Sequence, residues 1–423
     1  MKKLKLKISD EKLQSALKFI PHPNQKLIID SKAKLKVVCA GRRAGKTIVA
    51  GYVATKKALE DDQRIWIVAP DFSLTQIVFE EILKNLSILF GSEGFKLVRK
   101  PHPVIKLDNG TLIECRSVEN PQGMLGRSTD LVIMDEAAVV EREIWQQYLK
   151  PTTLDRNADV LMISTPRGLN WFYDFWASAG EGRFHFTSKE NKIVFPTEES
   201  WEKLKSETPE RVFQQEWLAE FVSEAGSVFR GIDNIVQDYH QDEPIDGHSY
   251  IVGVDIAKYE DYTAIIVMDR AARKVVYINR FKDIDYRIIK ERVIVTARKY
   301  NNAKCIIDAT GQGDPVVEDL KRHLFVEDYR ICTNKAKTQL VDKLSIYIEQ
   351  GLITIPNNEI LIDELKRYAY KTTDSGVITY SAPEHRHDDT VIALALCVWG
   401  LRDSTKNEET NAEHHYILHN EYA

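Results

Sequence analysis

The run KVVCAGRRAGKTIVA, residues 36–50, restricts the fold more than any other stretch of the chain. A brief β-branched segment ends in a glycine-bearing turn, and helical spacing begins directly after it. Within it AGRRAGKT, Ala40 to Thr47, fits the pattern G-x-x-x-x-G-K-[ST], with Ala40 at the place of the first glycine. A plain strand-to-helix turn would satisfy part of this pattern. The order of strand, loop and helix favours a phosphate cradle instead, because backbone N–H groups converge there and a helix N-terminus attracts anions. The apolar runs RIWIVA, LVIMDE and DVLMIST read as further buried strands, and residues 47–59 and 73–89 show helical spacing. This alternation predicts an α/β fold with a mostly parallel sheet covered on both faces.

In such a cradle Arg42, Arg43, Ala44 and Gly45 supply the closing backbone. Lys46 would reach the β- and γ-phosphates of ATP, and the Thr47 hydroxyl would ligate Mg²⁺. LVIMDEAA, residues 131–138, is an apolar strand ending in two acids. Asp135 is the expected Mg²⁺ ligand and Glu136 the group that polarises the attacking water. Alone that pair means little; beside a phosphate loop it is specific. In STPRG, residues 164–168, Ser164, Thr165 and Arg167 either sense the γ-phosphate or form an ordinary turn. Gln25, in PHPNQ, offers an amide that matches adenine's donor–acceptor edge.

A second block repeats the α/β pattern after residue 247, with YIVGVDIA, TAIIVMD and KVVYINRF as consecutive strands, then KCIIDATG and LITIP separated by helices. Three strands in succession followed by alternation predict a mixed sheet. Four acids stand where this pattern turns. Asp255 follows an apolar run inside a strand, where a lone charge is costly unless paired or bound to metal. Asp308 ends another buried strand, while Asp261 and Asp314 lie in turn sequence. HRHDDTVIALALCVWG, residues 385–400, then sets Asp388 and Asp389 side by side at the start of an apolar helix. One Asp suffices as an N-cap. Acids on adjacent strands and a packed helix describe a two-metal site for phosphodiester chemistry, and the doublet fits it if one residue ligates while the other caps or orients. Asp388 is the preferred ligand and Asp389 the alternate.

With 423 residues the chain exceeds one typical domain. The segment WEKLKSETPERVFQQEWLAEF turns helical, and AGSVFRGIDN with HQDEPIDGHS brings turn residues. The expected organisation is therefore 1–195, a helical and linking stretch 196–247, a second domain 248–405 and a polar tail 406–423. The tail histidines His414, His415 and His419 fit a solvated tail better than a metal site. A net charge of −5 argues against a globally basic nucleic-acid binder, so any DNA contact needs a local patch, for which the basic stretch up to Lys36 is a candidate. Five scattered cysteines form neither a disulfide framework nor a zinc pattern. No apolar run approaches the roughly 18 residues of a membrane span, and the start lacks a signal peptide's apolar stretch, so a cytoplasmic, membrane-free protein is expected.

PHPNQ, AGRRAGKT, VAPDFS, LVIMDEAA, STPRG, FQQEWLAEFVSEAGSVF, GVDIAKYEDYTA, IIDATGQGDPV and HDDTVIALA occur in that order. Taken together the string resembles the large terminase subunit of tailed bacteriophages over nearly the whole chain. The resemblance implies an additional-strand ATPase domain with a small helical lid, followed by a ribonuclease H-like nuclease. It implies ATP and Mg²⁺ as cofactors, with Mn²⁺ as an alternative nuclease metal. It also implies a homo-oligomeric ring docked on a portal protein, fed by a small terminase subunit and acting on double-stranded DNA in the cytoplasm of an infected host. Asp255, Asp308 and Asp388 match the family's metal-binding acids, and Asp261 matches a further one. Many relatives carry Arg-Gly before the acidic strand, where this chain has Leu125-Gly126-Arg127. Arg42, acting in cis, is the preferred arginine finger. Arg127 is either a trans finger or a DNA contact, and Arg43 is a third candidate. A helicase–nuclease of recombination or repair would share both sites, and a scaffold with a switching ATP site would share the first.

Overall fold

The computed structural model describes residues 9–91, 93–100, 102–222, 225–239, 243–256, 262–282, 285–308, 310, 314–372, 378–381 and 388–401. Asp261, the polar tail with its histidines and the first eight residues lie outside this set. The chain forms two compact units, one from residues 9–204 and 211–222, the other mainly from 225–371, 378–381 and 388–401.

The first unit opens with α1 (Asp10–Leu17) and α2 (Pro23–Asp30), the latter capped reciprocally by His22 and Gln25. There follow β1 (Leu35–Ala40), α3 (Lys46–Ala58), β2 (Arg64–Ala69), α4 (Phe72–Phe90), β3 (Phe95–Val98), β4 (Val104–Leu107) and β5 (Leu112–Ser117). Then come β6 (Leu131–Asp135), β7 (Asp159–Ser164), α5 (Trp171–Ser178) and β8 (Arg183–Phe186). The eight strands run in the order β3-β4-β5-β2-β6-β7-β1-β8, and every pairing from β5 onward in that order is parallel. β7 stands between the phosphate-loop strand β1 and the acid-bearing strand β6, which is the additional strand expected. The antiparallel pairings of β3 and β4 were not foreseen, because their short alternating segments carry a weaker signal than fully buried strands. Strand alternation feeds two cores. Val38, Ile65, Ile67, Ile133 and Leu161 pack with α3 and α4, while Val37, Trp66, Val132, Met134 and Met162 face Trp145 and Phe172. Phe195, Trp201 and Phe213 form a separate aromatic cluster in the lid segment.

The second unit contains β9 (Tyr250–Asp255), β10 (Tyr262–Asp269), β11 (Lys274–Lys282), α6 (Tyr286–Lys299), β12 (Lys304–Asp308), β13 (Val326–Tyr329), α7 (Asn334–Glu349), α8 (Glu359–Arg367), β14 (Ala369–Thr372), β15 (Ile378–Ser381) and α9 (Asp389–Gly400). Its five-stranded sheet is mixed, in the order β11-β10-β9-β12-β13. Two expectations shift here. LITIP is not a strand of this sheet: Ile355–Pro356 pairs with Val236–Gln237 instead, and its apolar character serves the core through Ile353 and Ile355. The fifth strand is VEDY, an edge strand of intermediate burial with no apolar signature. Val228, Phe229, Ile232 and Ile235, read as linker, are buried in this unit's core. α9 is buried along nearly its whole length and lies on β9. Gly253 permits that approach, because a Cβ there would come 2.1 Å from the Ala393 carbonyl oxygen.

Candidate functional site

The phosphate loop is held open from outside. Four consecutive carbonyls each meet a side chain from beyond the loop: Arg42 O accepts from Ser188 Oγ at 2.5 Å, Arg43 O from Asn191 Nδ2 at 2.6 Å, and Gly45 O from Gln25 Nε2 at 3.0 Å, with His22 Nε2 3.1 Å from Ala44 O. Carbonyls turned outward favour an inner side lined by N–H groups, the arrangement that receives an anion, although the Arg42 and Ala44 N–H groups already donate to Glu216 O and Gly41 O. Lys46, buried, donates to Ala40 O at 2.9 Å and Gly41 O at 3.0 Å, so its ammonium lies back along the loop. Gly45 caps α3 with a φ of 91° and Arg43 adopts 58°, both in the left-handed region. Gly41 is needed for a different reason, since a Cβ there would fall 2.3 Å from Ser188 Oγ and 2.5 Å from the Trp217 carbonyl oxygen. Thr47, in the first turn of α3, is partly exposed. Gln25 closes the α2 cap through its Oε1, which accepts from the His22 N–H, and its Nε2 donates to Gly45 O, which ties α2 to the phosphate loop.

Asp135 ends β6 buried, and Glu136 follows with a φ of 48°. Burial and the neighbouring Glu136 push the Asp135 carboxyl up to about 7, against the pull of Lys46. Burial draws Lys46 downward, opposed by Glu136, Asp135 and Glu216. Ser164, from the STPRG stretch, accepts from the Ala138 N–H, donates to the Thr165 carbonyl oxygen at 2.7 Å and lies 3.3 Å from Glu136 Oε2.

Glu216 was missed by the sequence reading. Its Oε2 is 2.5 Å from Arg42 Nε and its Oε1 2.5 Å from Arg167 Nη1, while its carbonyl accepts from the Arg42 N–H at 2.7 Å. Burial would raise its carboxyl, but Arg167 and Arg42 overcome that and hold it at about 2. The preferred finger, Arg42, is thus tied to Glu216, whereas Arg127 is more than half exposed and makes a loose 3.8 Å pair with Glu114. Glu216 stands in the motif FQQEWLAEFVSEAGSVF, but a glutamate inside a helical stretch does not by itself show which charges it pairs.

In the second unit, Asp255 and Asp308 end β9 and β12, adjacent parallel strands. Asp308 Oδ1 accepts from the Thr310 N–H at 2.9 Å, the Thr310 hydroxyl at 2.5 Å and the Ile331 N–H at 3.4 Å. Asp388 precedes α9 with no side-chain capping bond, and its Oδ2 is 3.3 Å from Lys337 Nζ. Asp389 is buried, 3.1 Å from Arg280 Nη2, and Arg280 also reaches Glu364 at 3.2 Å. Glu364 accepts from the Thr390 N–H at 3.0 Å and from its hydroxyl. The doublet therefore divides: Asp389 locks the helix start into a buried ionic network, and Asp388 is left partly exposed beside it. Burial raises the Tyr368 hydroxyl well above its ordinary range, and Asp388, Tyr380 and Asp255 act in the same direction, so both carboxylates are within its electrostatic reach. Among the described residues no three acids, histidines or cysteines converge closely enough to enclose a metal ion. Asp255, Asp308 and Asp388 lie at one end of the sheet without enclosing a common point, and Asp261 lies outside the described residues.

Residues 37–234 match the family described as terminase large subunit, T4likevirus-type, N-terminal, and residues 252–398 match the terminase RNaseH-like domain. The chain belongs to the terminase large-subunit family. It is 28% identical over 437 residues to the large terminase subunit of Thermus virus P23-45, covering 91% of this chain and 88% of that one. The corresponding subunit of Thermus phage G20c gives the same identity and coverage. A solved large terminase from another thermophilic bacteriophage shares the fold, with a TM-score of 0.53 at 14% identity over 90% of this chain and 98% of that one. The first α/β unit of this terminase subunit carries the match to the large-subunit N-terminal family and the second the match to the RNaseH-like domain, in keeping with the fold class expected. Among the described residues no helix is long and apolar enough to cross a membrane.

Proposed function

We propose that the subunit hydrolyses ATP to drive double-stranded DNA into a procapsid and cuts concatemeric DNA with its nuclease. The observation that carries this reading is the pairing, in one chain, of an outward-braced phosphate loop beside Asp135 and Glu136 with a separate group of aspartates on β9, β12 and the start of α9. The loop holds the phosphates, Lys46 leaves its carbonyls for the β- and γ-oxygens, and Glu136 accepts the proton of the attacking water. Arg42 stabilises the charge on the γ-oxygens in cis, and exposed Arg127 is offered to a neighbouring subunit or to DNA.

The nuclease residues fit a divalent cation of hard character. All are carboxylates, and one of them already holds the ammonium of Lys337. Asp255, Asp308 and Asp388 would hold Mg²⁺ or Mn²⁺, with Asp261 contributing and Asp389 in support, while Asp135 and Thr47 would hold the Mg²⁺ of the ATPase site. Such ions polarise the phosphodiester and lower the pKa of bound water. The same reading places the subunit in the host cytoplasm as a ring on a portal protein, supplied with DNA by a small terminase subunit. Packaging of linear DNA into empty proheads by purified protein and ATP tests it. Strand separation in place of packaging would favour the helicase–nuclease reading.

A further inference from the structure

Two groups beside the nuclease aspartates are named by no motif. Lys337, in the first turn of α7, places Nζ 3.3 Å from Asp388 Oδ2 and 5.8 Å from the centre of the Tyr368 ring. Tyr368, directly after α8, is fully buried and stacks on Phe229 at 5.5 Å between ring centres. Among the described residues its hydroxyl has no hydrogen-bond partner, although Asp388 and Asp255 are both within electrostatic reach. A buried hydroxyl left without a partner is destabilising, and phenylalanine would fill the same space without that cost. The oxygen therefore answers to a group that the described residues do not supply. Lys337, for its part, is a cation standing where a carboxylate ligand would meet a metal.

We propose that Lys337 and Tyr368 form the phosphate-facing wall of the nuclease site. Lys337 holds the Asp388 carboxylate while no metal is bound and yields it to the divalent cation. Its ammonium, on a flexible stem, then turns to a non-bridging oxygen of the scissile phosphodiester, where the Tyr368 hydroxyl donates a second hydrogen bond. Neither group transfers a proton in this role. They orient the phosphate and take up its charge as water adds and the P–O bond breaks. The assignment rests on the metal-dependent nuclease reading above.

The roles separate in measurements that do not depend on turnover. Titrating the full chain with Mn²⁺ alone, with Asp255→Ala as the blank for the nuclease site, Lys337→Gln should bind the metal more tightly, on the order of fivefold, because a competing cation is gone. Its cleavage of DNA should nonetheless fall by about 10²-fold, as for loss of a charged transition-state donor. Tyr368→Phe should leave Mn²⁺ affinity unchanged, lower cleavage roughly tenfold and melt no lower than wild type. Thermal melting of the nuclease unit serves as the folding control in each variant. If Lys337→Gln binds Mn²⁺ equally or more weakly, Lys337 is not a placeholder. If Tyr368→Phe cleaves at the wild-type rate, its hydroxyl has no part in the wall. A wild-type chain that shows no metal-dependent cleavage would instead overturn the nuclease reading itself.

Discussion

Replacing Glu216 by glutamine removes the charge that holds Arg42 and Arg167 together while keeping the shape of the side chain. The carboxyl is held at about 2, against an ordinary 4.5, a difference of about 2.5 units. At about 1.4 kcal/mol per unit this corresponds to roughly 3 kcal/mol of stability at neutral pH. The figure is an upper one, because the Arg42 side chain is 57% exposed and water takes up part of its charge once the pair is broken. Arg167 is only 16% exposed, so its half of the interaction is the harder to replace. The sign follows from the depressed carboxyl. The stabilisation is fully present above about pH 4.5 and is lost as the pH falls towards 2. Thermal unfolding followed by tryptophan fluorescence should report it, since Trp217 is the next residue and Trp201 lies in the lid cluster. Glu216→Gln should melt roughly 5–10 °C below wild type at pH 7, and the gap should narrow below pH 4.5. Equal melting at pH 7, or a gap that stays constant into acid, would refute the reasoning. Double-mutant cycles with Arg42→Gln and Arg167→Gln would then apportion the coupling.

Four further outcomes are expected. Lys46→Ala should lose nucleotide affinity, whereas Glu136→Gln should bind ATP and hydrolyse it at least 10²-fold more slowly, as equilibrium binding and single-turnover assays would show. Asp255→Ala, Asp308→Ala and Asp388→Ala should each abolish metal-dependent DNA cleavage with ATP hydrolysis nearly intact; Asp389→Ala should act through stability, lowering the melting temperature of the nuclease by breaking its pair with Arg280. Gly41→Ala should weaken nucleotide binding and destabilise the ATPase unit, because its Cβ meets Ser188 and the Trp217 backbone. Mixing Arg127→Ala subunits with Lys46→Ala subunits should restore hydrolysis only if Arg127 is donated across a ring interface, so recovery of activity would displace Arg42 as the sole finger.

Sequence by itself determined the elements whose chemistry is local. A phosphate loop is one strand, one turn and one helix start, so AGRRAGKT carries its own geometry, and LVIMDEAA carries both strand and acids. Buried strands such as RIWIVA announce themselves because both faces are covered and every position after Arg64 is apolar. The separation of Asp388 from Asp389, by contrast, depends on Arg280 and Glu364, residues 109 and 25 positions away from Asp389, which only α8 and β11 bring to the helix start. Edge strand VEDY has no apolar signature because one side of it has no neighbour in the sheet. Glu216, Ser188, Asn191 and His22 brace the phosphate loop from segments outside it, and the role of each exists only through the contact. A local motif specifies which atoms do chemistry. Long-range packing decides which charges are paired, and therefore which remain free to act.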